Sequence, residues 1–397
     1  MITSEALEVL ENNLVMARKV NRSYSDEFAK DGAKIGQVVN ARLPTQYLGR
    51  RGPVISIEDN TEISVPVVLT TQYGVDVEFS SQELTLSIDE IGERVLSPQM
   101  ANIVNGIDSD GCQLYYDVPN LVGTPGTAPS TFAAVLAVAQ RLNEEAAPMN
   151  KRFLVLDPRA NASLVGGLST LFSKKSALDE QYGSGNMSDI AGLGVDMDQN
   201  VYTHTVGPLG GTPLVNGANQ GLVQGWSDTG TLVTDGWTAA AALRLRRGDV
   251  FTIANVFAVN PQNRRSTNVL RQFVCLADTS SDASGNLTIP IGPALIYGGA
   301  YQNVTITPAD NAPLTIVGTA STGYPMALGF HKDAFTFATA DLKLPGGVDM
   351  AARKVYKGMS LRLVRAYDIN NDRFPSRFDL LGGWKTTRRT QASRLTG

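Results

Sequence analysis

A β-rich segment at about residues 213–324 interrupts an otherwise mixed sequence and constrains the fold more than any other feature. Gly, Thr, Asn, Val and Pro dominate this segment. Short runs rich in β-branched and apolar residues at 251–253, 273–276, 287–289 and 304–306 are separated by turn residues. Several short strands at such spacing are typical of a small β-barrel or sandwich. The sequence therefore predicts an α+β chain that carries an inserted β-barrel-like domain.

Size and composition exclude several classes of protein. A chain of 397 residues can bury about two or three cores, and 43% hydrophobic residues are too many for a disordered chain. The sequence contains no run of about 18 apolar residues that would span a bilayer. The net charge of −4 argues against a protein whose main role is tight binding of nucleic acid, because such binding needs clustered Lys and Arg. Cys112 and Cys275 are too few for a disulfide framework, so we expect two reduced, buried thiols in a reducing cytosol.

Residues 1–31 form a predicted N-terminal arm that begins with an amphipathic helix. Acidic residues occupy its first turns and basic residues follow, which is the order that the helix dipole favours. Leu7, Leu10 and Leu14 recur at helical spacing and define an apolar stripe. This stripe packs either against the chain's own body or against a partner. The acidic residues also break the apolar run that a secretory leader requires.

Residues 32–82 form a predicted extended loop. β-branched residues alternate or run together around 38–39, 63–67 and 75–79, which indicates strands. Between these strands lies a basic tip at 48–53 that contains glycine and proline. A long two-stranded excursion with little apolar mass is hard to stabilise in isolation. We therefore expect the loop to lie across a neighbouring molecule.

A long helical pattern follows in residues 83–118. Ser87 and Glu90 fit a capping box, and apolar residues then recur at helical spacing. Ser97 followed by Pro98 predicts a second helix start within this pattern, because proline is tolerated at the first helical position. We expect one long helix with a kink.

Residues 119–212 alternate between helical and strand patterns. A helix is predicted over 130–142, and the apolar run at 153–156 predicts a buried strand. A further helix is expected to start at Asp157 and Pro158. These elements predict a compact α+β module.

Residues that carry catalysis or bind metals are scarce. His204 and His331 are the only histidines, and neither has partners at metal-ligand spacing. We interpret His204 as a hydrogen-bonded structural histidine. The adjacent Glu144 and Glu145 cannot face one substrate together on a helix, so we interpret them as a solvent-facing pair. We predict no catalytic residue, no cofactor and no metal, and we do not expect an enzyme.

Several stretches resemble the major capsid proteins of tailed bacteriophages. The residues IDEIGERVLSPQMANIVNGIDSDGCQLYYDVPN (88–120) are similar to the long spine helix of these proteins. The stretches at 190–207, 247–278, 330–347 and 360–389 are similar to the coat proteins of short-tailed phages that carry an inserted domain. Together the stretches follow the family's order over nearly the whole chain.

The resemblance implies the Hong Kong-type phage capsid fold. Its parts correspond to the N-terminal arm (1–31), the extended loop (32–82), the peripheral domain with the spine helix (83–118 with parts of 325–397), the axial domain (119–212 with parts of 325–397) and the inserted β-rich domain (213–324).

The resemblance also implies a function, that of a major capsid protein. Its copies self-assemble into the pentamers and hexamers of an icosahedral head that encloses double-stranded DNA. The expected partners are further copies of the chain, a scaffolding protein, a portal and DNA held loosely and without sequence specificity. Binding of a decoration protein is left open, and no membrane partner is expected. The expected location is the virion, after assembly in the cytoplasm of a host bacterium.

Two other functions are kept as alternatives. A cellular nanocompartment shell of the encapsulin type shares the architecture but encloses enzymes. An extracellular binding protein with a β-rich recognition domain is the second alternative, and it requires an export signal. An enzyme is disfavoured by the shortage of His, Cys and converging carboxylates.

Three groups of residues are candidates for contacts between subunits. Basic residues at the loop tip are expected to reach acidic residues near a neighbour's spine helix, the set being Arg50, Arg51, Glu83, Asp89, Glu90 and Glu93. The arm's contact residues, against the capsid's inner face or a scaffolding protein, are Leu7, Leu10 and Leu14. The inserted domain's candidate bridging charges are Arg244, Arg246 and Asp249. Solvated charges without a partner are the alternative for both charged groups.

Overall fold

A computed structural model describes residues 2–23, 38–50, 52–55, 57–58, 62–80, 97–168 and 189–397. The α-helices are α1 (Ile2–Asn13), α2 (Ser97–Gln113), α3 (Phe132–Glu144) and α4 (Pro158–Leu168). The strands are β1 (Val38–Leu43), β2 (Ile63–Val68), β3 (Thr71–Ser80), β4 (Asn120–Gly123), β5 (Arg152–Leu156), β6 (Gly194–Met197), β7 (Thr203–Thr205), β8 (Gly211–Val215), β9 (Gly230–Trp237), β10 (Leu243–Leu245), β11 (Val250–Val259), β12 (Ser266–Cys275), β13 (Thr279–Ser280), β14 (Leu287–Gly292), β15 (Leu314–Ile316), β16 (Gly323–His331), β17 (Phe335–Ala340), β18 (Met350–Tyr356), β19 (Met359–Arg365), β20 (Arg373–Thr386) and β21 (Ala392–Thr396).

The chain divides into two compact units, each assembled from separate segments. Unit 1 comprises Met1–Leu43, Ser64–Gly111 and Phe335–Thr387. Unit 2 comprises Pro44–Ile63, Cys112–Ala334 and Arg388–Gly397. Both units therefore depend on pairing between residues that lie far apart in the sequence.

Unit 1 is built on a five-stranded antiparallel sheet in the order β17-β20-β19-β18, with β3 also paired to β20. The long strand β20 pairs with three strands, with β3 along its first part, β19 along its middle and β17 along its last part. A Cβ on Gly383 of β20 would lie 2.1 Å from the carbonyl oxygen of Val68, so this close approach requires glycine. Helix α1 packs against β18 and β19.

Unit 2 contains a sheet in the order β4-β21-β16-β5-β6, and β7 also pairs with β16. Helices α3 and α4 share a hydrophobic core with this sheet, through residues such as Val138, Leu154 and Leu164. Strand β4 pairs in parallel with β21, so the last strand of the chain lies in the sheet interior. Gly329 in β16 faces α3, where a Cβ would lie 2.3 Å from Val138 Cγ1.

A second sheet of unit 2 has the order β15-β11-β12-β14-β9-β8 and its own core. Phe251 and Phe273 are fully buried there, with ring centroids 5.9 Å apart. All six strands fall between residues 211 and 316, so we refer to this as the inserted sheet. Three of its strands, β11, β12 and β14, overlap the short runs at 251–253, 273–276 and 287–289 that the sequence indicates, whereas β8, β9 and β15 were not predicted. The run at 304–306 differs, because only Val304 forms an isolated bridge, with Ala258.

The predicted helices and strands have counterparts in the described residues, except for the run at 304–306. Helix α2 begins at Ser97 with Pro98 in its first turn, and the earlier part of the predicted helix lies outside the described residues. Helix α3, strand β5 and helix α4 correspond to the predicted α+β module. The last strand, β21, was not predicted.

Candidate assembly surfaces

Residues 44–58 include the basic tip predicted at 48–53, and we refer to this longer segment as the loop tip. It has no helix or strand among its described positions. The backbone N–H groups of Leu48 and Gly49 donate to the carboxylate of Glu58, with N–O distances of 2.7 and 3.1 Å. Three β-branched side chains of the tip are largely exposed: Val54 (82%), Ile55 (75%) and Ile57 (89%). Neighbouring apolar side chains with such exposure are typical of an interaction surface.

The charged contacts predicted for this tip involve residues that the structure describes only in part. Arg50 is exposed, and its guanidinium donates a hydrogen bond to the carbonyl oxygen of Gly52. The other members of the predicted set lie outside the described residues: Arg51, Glu83, Asp89, Glu90 and Glu93. Pairing of this tip with a neighbouring spine helix stays a prediction.

The apolar stripe of the arm lies in the chain's own interior. Leu7, Leu10 and Leu14 are all buried, and the helix α1 that carries the first two packs on β18 and β19 of unit 1. Of the two alternatives that the sequence left open, the structure therefore has the stripe on the chain's own body. A contact of these leucines with the capsid's inner face or a scaffolding protein stays a prediction for the assembled state.

Two buried carboxylates hold the arm in place, and neither was predicted from the sequence. Asp108 of α2 accepts hydrogen bonds from the backbone N–H groups of Val15 (2.7 Å) and Ala17 (2.9 Å). Glu11 of α1 accepts two hydrogen bonds from the guanidinium of Arg22, at 2.7 and 2.9 Å. Charge-assisted hydrogen bonds of this kind are stronger than neutral ones, so the arm is fixed by more than its leucines.

The candidate bridging charges of the inserted domain require a correction. Arg244 is buried and donates to Ser281 Oγ and to the carbonyl oxygens of Leu209 and Thr238. Asp249 is 1% exposed. Neither side chain is available to bridge subunits, because each is used inside unit 2. Arg246 is exposed, so its side chain remains a candidate contact.

Asp249 belongs to a buried hydrogen-bonded cluster with His204 and Tyr115. His204 Nε2 lies 2.8 Å from Asp249 Oδ1, and the Tyr115 hydroxyl lies 3.3 Å from His204 Nδ1. The same carboxylate accepts the backbone N–H groups of Gly207 (3.1 Å) and Arg246 (2.8 Å). These bonds satisfy a carboxylate that has lost its water. The geometry fits the interpretation of His204 as a structural histidine.

Arg394 on β21 lies beside this cluster and is fully buried. Its Nε donates to the carbonyl oxygen of Val118 and its Nη1 to that of Gly248, both at 2.7 Å. Its guanidinium carbon lies 5.6 Å from the centre of the Tyr115 ring. Burial lowers the pKa of Arg394 to about 10, against the opposing influence of Tyr115 and nearby acids. Because backbone carbonyls accept its hydrogen bonds, this cation ties separate segments of unit 2 together.

Further polar contacts join the inserted sheet to the rest of unit 2. The side-chain amide of Gln272 on β12 accepts from Leu121 N–H and donates to Leu121 C=O, both at 2.9 Å. Arg271 of the same strand forms a buried ion pair with Glu145. This pair corrects the interpretation of Glu145 as solvent-facing. The carboxylate of Asp228 accepts two hydrogen bonds from the guanidinium of Arg389.

No group of three or more His, Cys, Asp or Glu side chains that could hold a metal ion occurs among the described residues. No helix in the described ranges is long and apolar enough to cross a membrane. Cys112 and Cys275 are both buried, and burial raises the pKa of the Cys275 thiol to about 11.

Comparison with known proteins defines the class over the whole length of the chain. A sequence model of phage coat proteins matches residues 1–396, which makes the chain a structural subunit of a phage capsid. The model is described as P22 coat protein, gene protein 5, and the chain belongs to this family. No curated protein sequence matches the chain significantly.

Solved structures of phage capsids are similar to the chain at low sequence identity. The structure titled Mycobacterium phage Che8 is 11% identical, with a TM-score of 0.46, and the match covers 96% of this chain and 91% of that chain. The capsid of the Cyanophage P-SCSP1u is 12% identical, with a TM-score of 0.40, covering 91% and 83% of the two chains. The CUS-3 coat protein I-domain is 25% identical, with a TM-score of 0.21, covering 27% of this chain and 96% of that chain.

Family membership over residues 1–396 decides between the functions that the sequence left open. The chain is a major capsid protein with the α+β phage capsid fold, and it forms a homo-oligomeric shell in the virion. The nanocompartment shell and the extracellular binding protein are disfavoured, because neither accounts for a coat-protein match along the entire chain.

Proposed function

We propose that this capsid protein assembles into the pentamers and hexamers of an icosahedral head that encloses double-stranded DNA. Assembly takes place in the cytoplasm of a host bacterium, requires a scaffolding protein and includes a portal. The protein has no catalytic activity of its own. The observation that carries this proposal is the coat-protein match over residues 1–396. The net charge of −4 also suits a container whose DNA must later be released, because few phosphates are neutralised.

Co-expression tests the need for a scaffolding protein. The chain is expressed with and without the scaffolding protein encoded near it, and the products are separated by sedimentation and viewed by electron microscopy. We expect closed shells of one size only when both proteins are present. Closed shells of one size from the chain alone would contradict the requirement for a scaffold.

The segments of the chain have proposed roles in this shell. We assign residues 1–31 to the arm, 32–82 to the extended loop, 83–118 to the peripheral domain and 119–212 to the axial domain. Residues 213–324 form the inserted domain, and the inserted sheet at 211–316 supports these bounds. Parts of 325–397 complete the peripheral and axial domains.

The inserted domain has two proposed roles, of which the first has more support. It stabilises the subunit, because buried contacts such as Arg271–Glu145 and His204–Asp249 join it to the rest of unit 2. A role in bridging capsomers relies on exposed charges such as Arg246.

The loop tip is proposed to contact the spine region of a neighbouring subunit through Arg50 and Arg51. Exposure of Arg50 and of the apolar residues after it supports this contact. Reversal of both charges, Arg50→Glu with Arg51→Glu, is expected to impair shell formation while the subunit stays folded. Lys354→Glu, which reverses an exposed charge on β18, is the control. Normal shells from the double variant would contradict this role of the tip.

A further inference from the structure

The turn between β11 and β12 of the inserted sheet reaches the loop tip. Arg264 in this turn donates one hydrogen bond to the carbonyl oxygen of Tyr47 at 2.6 Å and one to that of Leu48 at 3.2 Å. The planar guanidinium group presents its donors as a fork, and here the fork spans two successive carbonyl groups. Both acceptors are backbone oxygens, so the contact does not depend on the side chains at positions 47 and 48.

Other side chains fix the backbone on either side of this contact. The hydroxyl of Tyr301 accepts the backbone N–H of Gln46 at 3.2 Å. The carboxylate of Glu58 accepts the N–H groups of Leu48 and Gly49. The described residues of this segment form no helix or strand, so no strand neighbour supplies its backbone hydrogen bonds. Side chains therefore make the hydrogen bonds to this backbone that a neighbouring strand would make in a sheet.

The turn that carries Arg264 is itself held firmly. Arg264 has a φ of 53°, which is a left-handed conformation that costs a non-glycine residue energy. Two backbone hydrogen bonds close the turn, from Arg264 N–H to Asn260 C=O at 2.9 Å and from Asn260 N–H to Arg265 C=O at 3.1 Å. The Asn260 side chain also donates to the carbonyl oxygen of Glu144 at the end of α3, at 2.8 Å. The backbone that carries the Arg264 guanidinium is thus held in one position.

We propose that this turn is a clasp for the loop tip of the same chain, with Arg264 as its positioning residue and Tyr301 as a second point of attachment. The clasp fixes residues 46–49 in the free subunit and so orients the exposed apolar side chains of Val54, Ile55 and Ile57. A tip that is ordered beforehand loses less conformational entropy when it docks. The consequence for assembly rests on the proposed contact between the loop tip and a neighbouring subunit, whereas the clasp itself does not.

Cleavage by trypsin after the exposed Arg50 tests the clasp in the full-length, unassembled subunit. Proteolysis of a folded chain reports how often the cleaved segment opens locally. We expect Arg264→Met to accelerate this cleavage about tenfold, because two charge-assisted hydrogen bonds are lost. Arg264→Lys, which keeps the charge but not the fork, is expected to lie between the variant and the unmodified protein.

Arg265→Met is the matched control, because this neighbouring arginine is exposed and has the same charge. It is expected to leave the rate of cleavage after Arg50 unchanged. Tyr301→Phe gives an independent test that keeps Arg264, and we expect a smaller acceleration from it. The thermal unfolding midpoint of each variant shows whether the subunit remains folded. Equal cleavage rates in Arg264→Met, Arg265→Met and the unmodified protein would overturn the proposal.

The rate of shell formation with scaffolding protein separates the clasp from its consequence. Slower assembly of Arg264→Met, together with faster cleavage, supports both the clasp and the role of the tip in assembly. Faster cleavage with a normal assembly rate supports the clasp and contradicts the proposed contact of the tip. Unchanged cleavage with slower assembly contradicts the clasp alone.

Discussion

At the scale of single residues, the stability of the fold depends on buried charged side chains that are paired within the chain. Arg271, in the middle of β12, is 1% exposed and pairs with Glu145. Its Nε and Nη2 atoms have no hydrogen-bond partner among the described residues, so within these residues the pair does not fully compensate the cost of removing this cation from water. A charge in this state depends strongly on its single carboxylate partner.

Removal of that carboxylate is therefore expected to be costly. Glu145→Gln leaves Arg271 charged, buried and unpaired, and we expect it to lower the free energy of unfolding by about 3–5 kcal/mol. The double variant Glu145→Gln with Arg271→Met is expected to recover most of this loss, because no unpaired charge remains. Chemical denaturation of both variants measures the difference. Equal destabilisation by the single and the double variant would show that the ion pair is not the cause.

His331 makes the stability of unit 2 depend on pH. It is buried, and burial lowers its pKa from the ordinary value of 6.5, helped by Arg388 and Arg152 and opposed by Asp333. The unfolded chain therefore binds a proton more readily than the folded chain below pH 6.5, so stability falls as the pH drops from 6.5 toward the lower folded-state pKa. Above pH 6.5 His331 is neutral in both the folded and the unfolded chain, so it causes no loss of stability there.

The variant His331→Gln tests this pH dependence. We expect the thermal midpoint to fall less between pH 7.5 and pH 5.5 in the variant than in the unmodified protein, because the variant has no imidazole to protonate. The comparison uses the change between the two pH values, so a constant effect of the substitution cancels. An equal fall in both proteins would assign the acid sensitivity to other groups.

At the scale of helices and strands, glycine is required where two elements approach each other closely. Gly329 of β16 lies under α3, and a Cβ there would be 2.3 Å from Val138 Cγ1. Gly329→Ala is expected to destabilise the protein by about 1–3 kcal/mol, because the helix must shift to admit the methyl group. Gly166→Ala in α4 is the control, since outside the helix's own backbone no atom of the described residues lies within 4 Å of its Cβ position. This control is expected to be neutral or slightly stabilising.

Attachment of the arm to α2 depends on Asp108. Asp108→Asn places an amide group where two backbone N–H donors need acceptors, so at least one of the hydrogen bonds to Val15 and Ala17 weakens. We expect faster hydrogen exchange of the amides in α1 and in the segment after it. Asp110→Asn is the control, because Asp110 accepts a hydrogen bond from Tyr73 instead. Unchanged exchange in Asp108→Asn would contradict the role of this carboxylate.

The sequence pattern predicted the described helices and several of the strands, but not which elements pair with each other. Hydrophobic periodicity indicated strands at β3 and β5 and helices at α2 and α3, because period and caps are local properties. It gave no indication that β3 pairs with β20 or that β21 lies beside β4. Arg271 and Glu145 resemble surface residues in the sequence, since their burial depends on distant chain segments. The only local signal was a cation within an apolar strand.

At the scale of the whole molecule, contacts within one subunit order more of the chain than the sequence indicates. The sequence predicts a loop that lies across a neighbouring molecule, and it leaves the arm to pack either on the chain's own body or on a partner. In the structure α1 is packed into unit 1, and Arg264 holds the described part of the loop tip within unit 2. The subunit of this P22-type coat protein is thus a folded building block with an exposed apolar tip. We expect contacts between such blocks to be individually weak, because closed symmetry multiplies them.

Cryo-electron microscopy of particles purified after co-expression with the scaffolding protein shows directly whether this chain builds the shell. We expect closed icosahedral shells in which this chain forms every pentamer and hexamer, with the arm helix α1 buried in its own subunit. A chain that stays monomeric or dimeric under these conditions, or particles whose wall is made of another protein, would rule out a role as the major capsid protein.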